Sequence, residues 1–235
     1  MRILFLHNNY PAQFKFLLTT LASTNHELIF LSIESHGVKI PGVKHYKVGS
    51  KTVETISSFN KQHKPLGKKI LNAELFRAAF QKLKDSGFYP DVTFFHSGWG
   101  IGFFLKSVFP KTKSIAYAEW WFQWDSAEAA FDPSSPYSPS QNLDERISLK
   151  YLNSLQCTEI SEADMVWSPT EWQKSQFPPT IQDRIVVIHE GVDTNFFRPE
   201  KNRPSNYPSL HLTYTSRALE AMRCFDHFTE VIARV

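Results

Sequence analysis

Short apolar runs, each followed by a stretch with helical spacing, recur along the whole chain, and this alternation constrains the fold more than any other feature. "RILFLH" (residues 2–7) is almost continuously apolar, as in a strand buried on both faces. In "NNYPAQF", Pro11 suits a first helical turn, and Phe14, Phe16, Leu17, Leu18 and Leu21 fit one helix face. "HELIFLSI" (26–33) is a second strand and "KHYKV" (44–48) a weaker third. A helix is expected from about 68 to 84, stopped by Gly87 with Pro90 beyond. Strands follow at 91–96, 114–119, 163–167 and 184–188, with a short helix in "GIGFFLKSVFP" and a longer one at 143–161. In "SPTEWQKSQF", Ser168 is the expected N-cap, with Pro169 in the first helical position. Residues 201–209 form a linker, and 212–235 hold a strand, a loop with two arginines and an amphipathic helix. Such alternation calls for a doubly wound, mostly parallel α/β sheet covered on both faces. Ligands then bind at the carboxyl ends of the strands.

Composition narrows the function. The chain has 235 residues, 42% hydrophobic and 21% charged, an ordinary globular balance. Its two cysteines, Cys157 and Cys224, lie far apart with no CxxC spacing, which argues against a disulfide framework and a zinc site and fits a reducing, cytoplasmic compartment. A net charge of +3 does not point to nucleic acid. Lysines 44, 47, 51, 61, 64, 68 and 69 share one stretch with a single acid, Glu54. A solvated loop explains them best, and the sharper reading is a patch for anionic lipid at a membrane surface or for a phosphorylated substrate. Neither a GxGxxG after the first strand nor a P-loop occurs, so standard dinucleotide and P-loop sites have no support.

The stretches at strand ends carry the chemistry. "HSGWGIG" sets His96 before Gly98, Trp99, Gly100 and Gly102, where glycines admit a ligand to the backbone and expose amides. His96 can orient or deprotonate a hydroxyl, or serve as a capping or core histidine. "AEWWFQWD" packs Glu119, Trp120, Trp121, Phe122, Trp124 and Asp125 together, a surface suited to sugars. Side-chain alternation puts about half of these rings in the core. "HEGVD" is a glycine turn with acids. "SRALEAMR" places Arg217 and Arg223 where two guanidiniums and helix amides suit a diphosphate, or where both are simply solvated.

In order and spacing, "MRILFLHNNYPAQF", "HSGWG", "SPTEWQKSQFP", "HEGVDTNFFRP" and "LTYTSRALEAMR" together resemble the family-4 retaining glycosyltransferases of the GT-B fold. The resemblance implies a Rossmann-like acceptor-binding domain over residues 1–200, a linker over 201–210, and over 211–235 the start of a donor-binding domain. It gives His96 the catalytic role, and Gly98, Trp99, Gly100, Glu119 and Trp120 the acceptor pocket. It puts Ala12, Glu190, Arg217 and Arg223 on the donor side, with a nucleotide-sugar as co-substrate and no metal or other cofactor. The implied partners are that nucleotide-sugar, a sugar or lipid-linked acceptor, and a donor domain or second copy. The absence of a paired nucleophile and acid fits a retaining transferase better than a glycosidase. This chain departs from the family at three positions. It has Ala12 and Cys224 where the family has glycine, and Ile101 where the family has an acid. The alternative is a catalytically inactive carbohydrate- or protein-binding module on the same fold. On either reading the 235-residue chain is not expected to transfer sugar alone.

Overall fold

The computed structural model describes residues 1–35, 37–49, 63–126, 131–135, 138, 142–199, 212–216, 218–219 and 221–234. Among the described residues seven strands lie in one sheet in the order β3-β2-β1-β4-β5-β6-β7, and every neighbouring pair is parallel. They are β1 (Arg2–Tyr10), β2 (Glu27–Ser35), β3 (Val43–Lys47), β4 (Val92–His96), β5 (Lys113–Tyr117), β6 (Met165–Ser168) and β7 (Ile185–Val187). The helices between them are α1 (Lys15–Ala22), α2 (Lys64–Asp85), α3 (Leu105–Val108), α4 (Leu143–Glu162), α5 (Glu171–Ser175) and α6 (Pro179–Gln182). The sheet order turns back at β1, with β2 on one side and β4 on the other, so the carboxyl ends of β1 and β4 flank a crevice.

Side-chain alternation splits the core in two. Ile3, Phe5, Leu28, Phe30 and Tyr117 pack with Phe14 and Leu18 on the α1 side. Leu4, Leu6, Ile29, Leu31, Phe95 and Ala116 pack with Phe76 and Phe80 of α2 on the other. The run in β1 is apolar throughout because both faces are covered.

The chain divides into two compact units, Met1–Gln123 with Asn142–His189, and Trp124–Gln141 with Glu190–Val235. The first contains the whole sheet. Within the second, α7 (Phe225–Ile232) sets Phe225 and Phe228 against Tyr214, with ring centroids 5.5 and 4.8 Å away. Val231 and Ile232 stay exposed. The strand expected from residue 212 is not formed, and residues 212–216 have no strand pairing among the described residues. Among the described residues no helix is long and apolar enough to cross a membrane.

Two local expectations need correction. Ser168 is the last residue of β6, and the helix after it is capped by Thr170, whose hydroxyl accepts the Gln173 N–H at 3.1 Å. Pro169 therefore lies outside the helix. The basic stretch is also not one solvated loop. Lys44 pairs with Glu27 at 2.9 Å, and Lys69 is buried on α2 with its ammonium on the Leu152 carbonyl. Lys51, Glu54 and Lys61 lie outside the described residues.

Candidate functional site at the carboxyl edge of the sheet

Strand register builds the site. β1 and β4 pair Leu6 with Phe95, which brings His7 beside His96 on the α1 face, and His96 pairs with Tyr117 of β5. Glu119 lies two residues past Tyr117, on the same face. The His7 and His96 rings meet edge to face at 4.9 Å, and Tyr117 stands 5.2 Å from His96.

His96 is buried, and each ring nitrogen faces an acceptor of the protein itself. Nδ1 lies 2.7 Å from the Ser97 carbonyl, and Nε2 lies 2.8 Å from Glu119 Oε2. The same Oε2 accepts from Gln13 Nε2 at 3.3 Å, and the Glu119 carbonyl accepts from Gln173 Nε2 at 3.1 Å. The hydrogen bond from His96 holds the Glu119 carboxyl below its ordinary range, against the desolvation that would raise it. Glu119 is therefore a carboxylate at neutral pH.

His7 and Gln13 complete this network, and sequence reasoning missed both. His7 Nδ1 accepts the Asn9 N–H at 2.9 Å, so its proton sits on Nε2. Among the described residues that nitrogen is buried with no partner in full hydrogen-bond geometry, and Gln13 is its polar neighbour. Burial, and then the neighbouring His96, push His7 down to about 3, which keeps its ring neutral. The only sequence signal was a histidine ending an apolar strand.

The glycine loop after β4 serves packing. Gly98 and Gly100 have φ of +89° and +77°. The amides that a ligand was expected to meet are taken internally. Glu159 of α4 accepts the Gly98 N–H at 2.6 Å and the Gly102 N–H at 2.9 Å, one on each carboxylate oxygen. Asn72 donates to the Trp99 carbonyl at 3.1 Å. Ile101, where the family resemblance calls for an acid, is fully buried in the α2-side core.

The aromatics divide between core and edge. Trp121 packs on Phe177 in the core, with ring centroids 5.7 Å apart. Trp120 is half-buried against Trp172 at 5.2 Å. Trp99 is 38% exposed, 6.0 Å from His96.

His96, Gly98, Trp99, Gly100, Glu119 and Trp120 thus all belong to one edge of the first unit, and Ala12 lies in the 3₁₀ turn Ala12–Phe14 that carries Gln13. Glu190 and Arg223 belong to the second unit and are exposed, and the Arg223 carbonyl accepts from the Tyr214 hydroxyl at 3.0 Å. Arg217 lies outside the described residues. The second unit also gathers Asp132, Asp226 and His227, with ligand atoms within 4.8 Å of one another. Ser134 donates to Asp132 at 2.6 Å and His227 Nδ1 lies 3.2 Å from Asp226.

Ala12 (φ +46°) and Cys224 (φ +54°) are the two non-glycine residues in the left-handed region among those described. They are the positions where the resemblance calls for glycine. A left-handed L-residue costs about 1–2 kcal/mol, and glycine loses about 0.4–1 kcal/mol of this advantage through its freer unfolded chain. Ala12→Gly is therefore expected to stabilise the protein by up to about 1.6 kcal/mol. Equilibrium denaturation will read this as a higher midpoint with an unchanged slope. A lower midpoint would show that the Ala12 methyl contributes packing that outweighs its strain.

A family described as "Glycosyl transferase family 4 group" matches residues 24–197. No curated protein matches. Among solved structures, the catalytic domain of starch synthase IV from Arabidopsis thaliana, bound to ADP and acarbose, has 12% identity and a TM-score of 0.50, over 84% of this chain and 53% of that one. UGT2 of Phytolacca americana, with UDP-2-fluoro-glucose and pterostilbene, has 10% identity and a TM-score of 0.42, over 72% and 48%. The chain spans about half the length of the solved structures it matches. The starch synthase shows that the two share a fold, the Rossmann-like layer of a GT-B protein.

Proposed function

Because the chain belongs to the glycosyl transferase family 4 group, we propose that it is the acceptor-binding half of a retaining glycosyltransferase, which moves a sugar from a nucleotide-sugar to a hydroxyl on a glycan or lipid. The observation that carries this reading is the Glu119 carboxyl group at the carboxyl edge, held by His96 Nε2 at 2.8 Å, with the exposed Trp99 ring 6.0 Å from that same histidine. A carboxylate next to an aromatic face suits a hydroxylated ring. Residues 1–200 form the acceptor domain on this reading, 201–210 the linker and 211–235 the start of the donor domain. Arg217 and Arg223 bind the donor diphosphate, with Ala12 and Glu190 near the donor. The nucleotide-sugar is a co-substrate and no resident metal is invoked.

On this reading the two arginines of residues 212–235 meet a diphosphate, and the base, ribose and sugar are left to the rest of a donor-binding domain. Exposed ion pairs contribute only about 0–1 kcal/mol. The purified 235-residue chain is expected to give no transfer in an assay of nucleotide release, and to transfer once joined to a complete donor-binding domain. Robust transfer by the chain alone would remove this division of labour. A joined protein that binds donor and still does not transfer would favour a second reading, an inactive carbohydrate-binding module. The side chains at Ala12 and Cys224 are the observation on that side, since a Cβ there stands where the resemblance calls for open backbone.

A further inference from the structure

Glu119 has two carboxylate oxygens, and the protein uses one. Oε2 takes both His96 Nε2 and Gln13 Nε2. Oε1 has no partner among the described residues, and the side chain is 40% exposed. The neighbouring groups cannot take its place. Both nitrogens of His96 are committed to protein acceptors. His7 is buried, neutral and fixed by Asn9. The amides of Gly98 and Gly102 are held by Glu159. An ionised oxygen with a vacant lone pair accepts a hydrogen bond, attracts a donor and repels an anion. Trp99, 38% exposed, supplies an aromatic face 6.0 Å from the His96 ring that holds Glu119.

We propose that Glu119 Oε1 is the atom that recognises the acceptor. It accepts a hydrogen bond from a neutral hydroxyl of a polyol ring, and it excludes ligands with a carboxylate or phosphate at that position. His96, Gln13 and His7 are positioning residues that act through Glu119. His96 and Gln13 fix the used oxygen, and the His7 ring edge fixes the plane of His96 without adding charge. This rests on the acceptor-half reading for the identity of the site, but it is tested by binding and not by transfer.

The probes are the methyl glycosides of glucose, galactose and mannose, with myo-inositol, set against the matching methyl uronosides. Binding to the 235-residue chain is measured by saturation-transfer NMR and by equilibrium titration. At least one neutral ring is expected to bind, and its uronoside about tenfold or more weaker, a gap of about 1.4 kcal/mol. Glu119→Gln should weaken the neutral ring and shrink the gap to about twofold. A residue that only supports the fold would not change that ratio. His96→Gln, which keeps a donor near the Nε2 position, should leave the gap within about threefold of its starting value. The comparison on the unaltered chain needs no variant, so misfolding of either substitution does not protect the proposal. A uronoside that binds as well as its neutral counterpart would overturn it, as would binding by none of these rings. A gap unchanged in folded Glu119→Gln protein would do the same. If the gap is found but the joined enzyme transfers nothing, the proposal stands and the enzyme reading falls. If transfer is found without the gap, the reverse holds.

Discussion

Glu159→Ala is expected to cost about 2–6 kcal/mol of stability, because it leaves two backbone N–H groups under the glycine loop without acceptors, at about 1–3 kcal/mol each. Glu159 lies under the glycine loop, 2% exposed, with a backbone amide on each oxygen. Its loss would leave the Gly98 and Gly102 N–H groups without acceptors and the buried Lys69 without the carboxylate that offsets its desolvation. Glu159→Gln keeps the shape but turns an NH₂ toward one of the two amides, donor against donor, and is expected to cost about 1–3 kcal/mol. The pH dependence has a definite sign. Burial pushes Glu159 up to about 7, against the two amide bonds and Lys69. An acid whose folded pKa is raised contributes its stability below its ordinary pKa and loses it as pH rises through the folded value. The contribution of this group should therefore decline between about 4.5 and 7. The Glu159→Gln protein should lack that decline, as melting temperature measured across this window will show. Equal slopes in both proteins would mean that another group sets the dependence.

The sheet was legible because it depends on period and burial. Seven apolar runs separated by helical stretches leave few topologies, and each run became a strand within a few residues of its expected place. The site was legible only in part. His96, Trp99 and Glu119 stood out because strand ends with glycines or clustered aromatics are uncommon. His7, Gln13 and Glu159 gave no such signal, since their roles arise from register and from a helix distant in sequence. Lys69 looked like one more lysine in a basic stretch, yet the turn of α2 carries it inward. The closing strand failed for a related reason. Leu212–Ser216 has strand composition, but a strand needs a neighbour to pair with, and no described element offers one. The same rule misplaced the cap at Ser168, where the ladder of β6 with β7 pairs Ser168 with Val187 and leaves the cap to Thr170.

Gly100→Ala is expected to be strongly destabilising. Gly100 has φ of +77°, which costs an alanine about 1–2 kcal/mol wherever it occurs. A Cβ at this position would also stand 2.3 Å from the Lys69 carbonyl oxygen and 3.2 Å from Leu155 Cδ2. That carbonyl is backbone within the 22-residue helix α2, so it cannot rotate away as a side-chain tip could. Forcing α2 and the loop apart adds an overpacking cost of about 1–3 kcal/mol, for a total near 3 kcal/mol or more. Gly191→Ala provides the control. It has nearly the same torsion, φ +81°, and nothing within 4 Å of the added methyl. It should cost only the torsional part, about 1–2 kcal/mol. The difference between the two, read from denaturant midpoints at a common slope, isolates the contact between the loop and α2. Equal losses would show that the loop yields freely to α2, and that Trp99 and His96 are not held by this packing. A loss confined to Gly100→Ala, with the residual folded protein also losing its preference for neutral rings, would tie the glycine loop to the position of the Trp99 face.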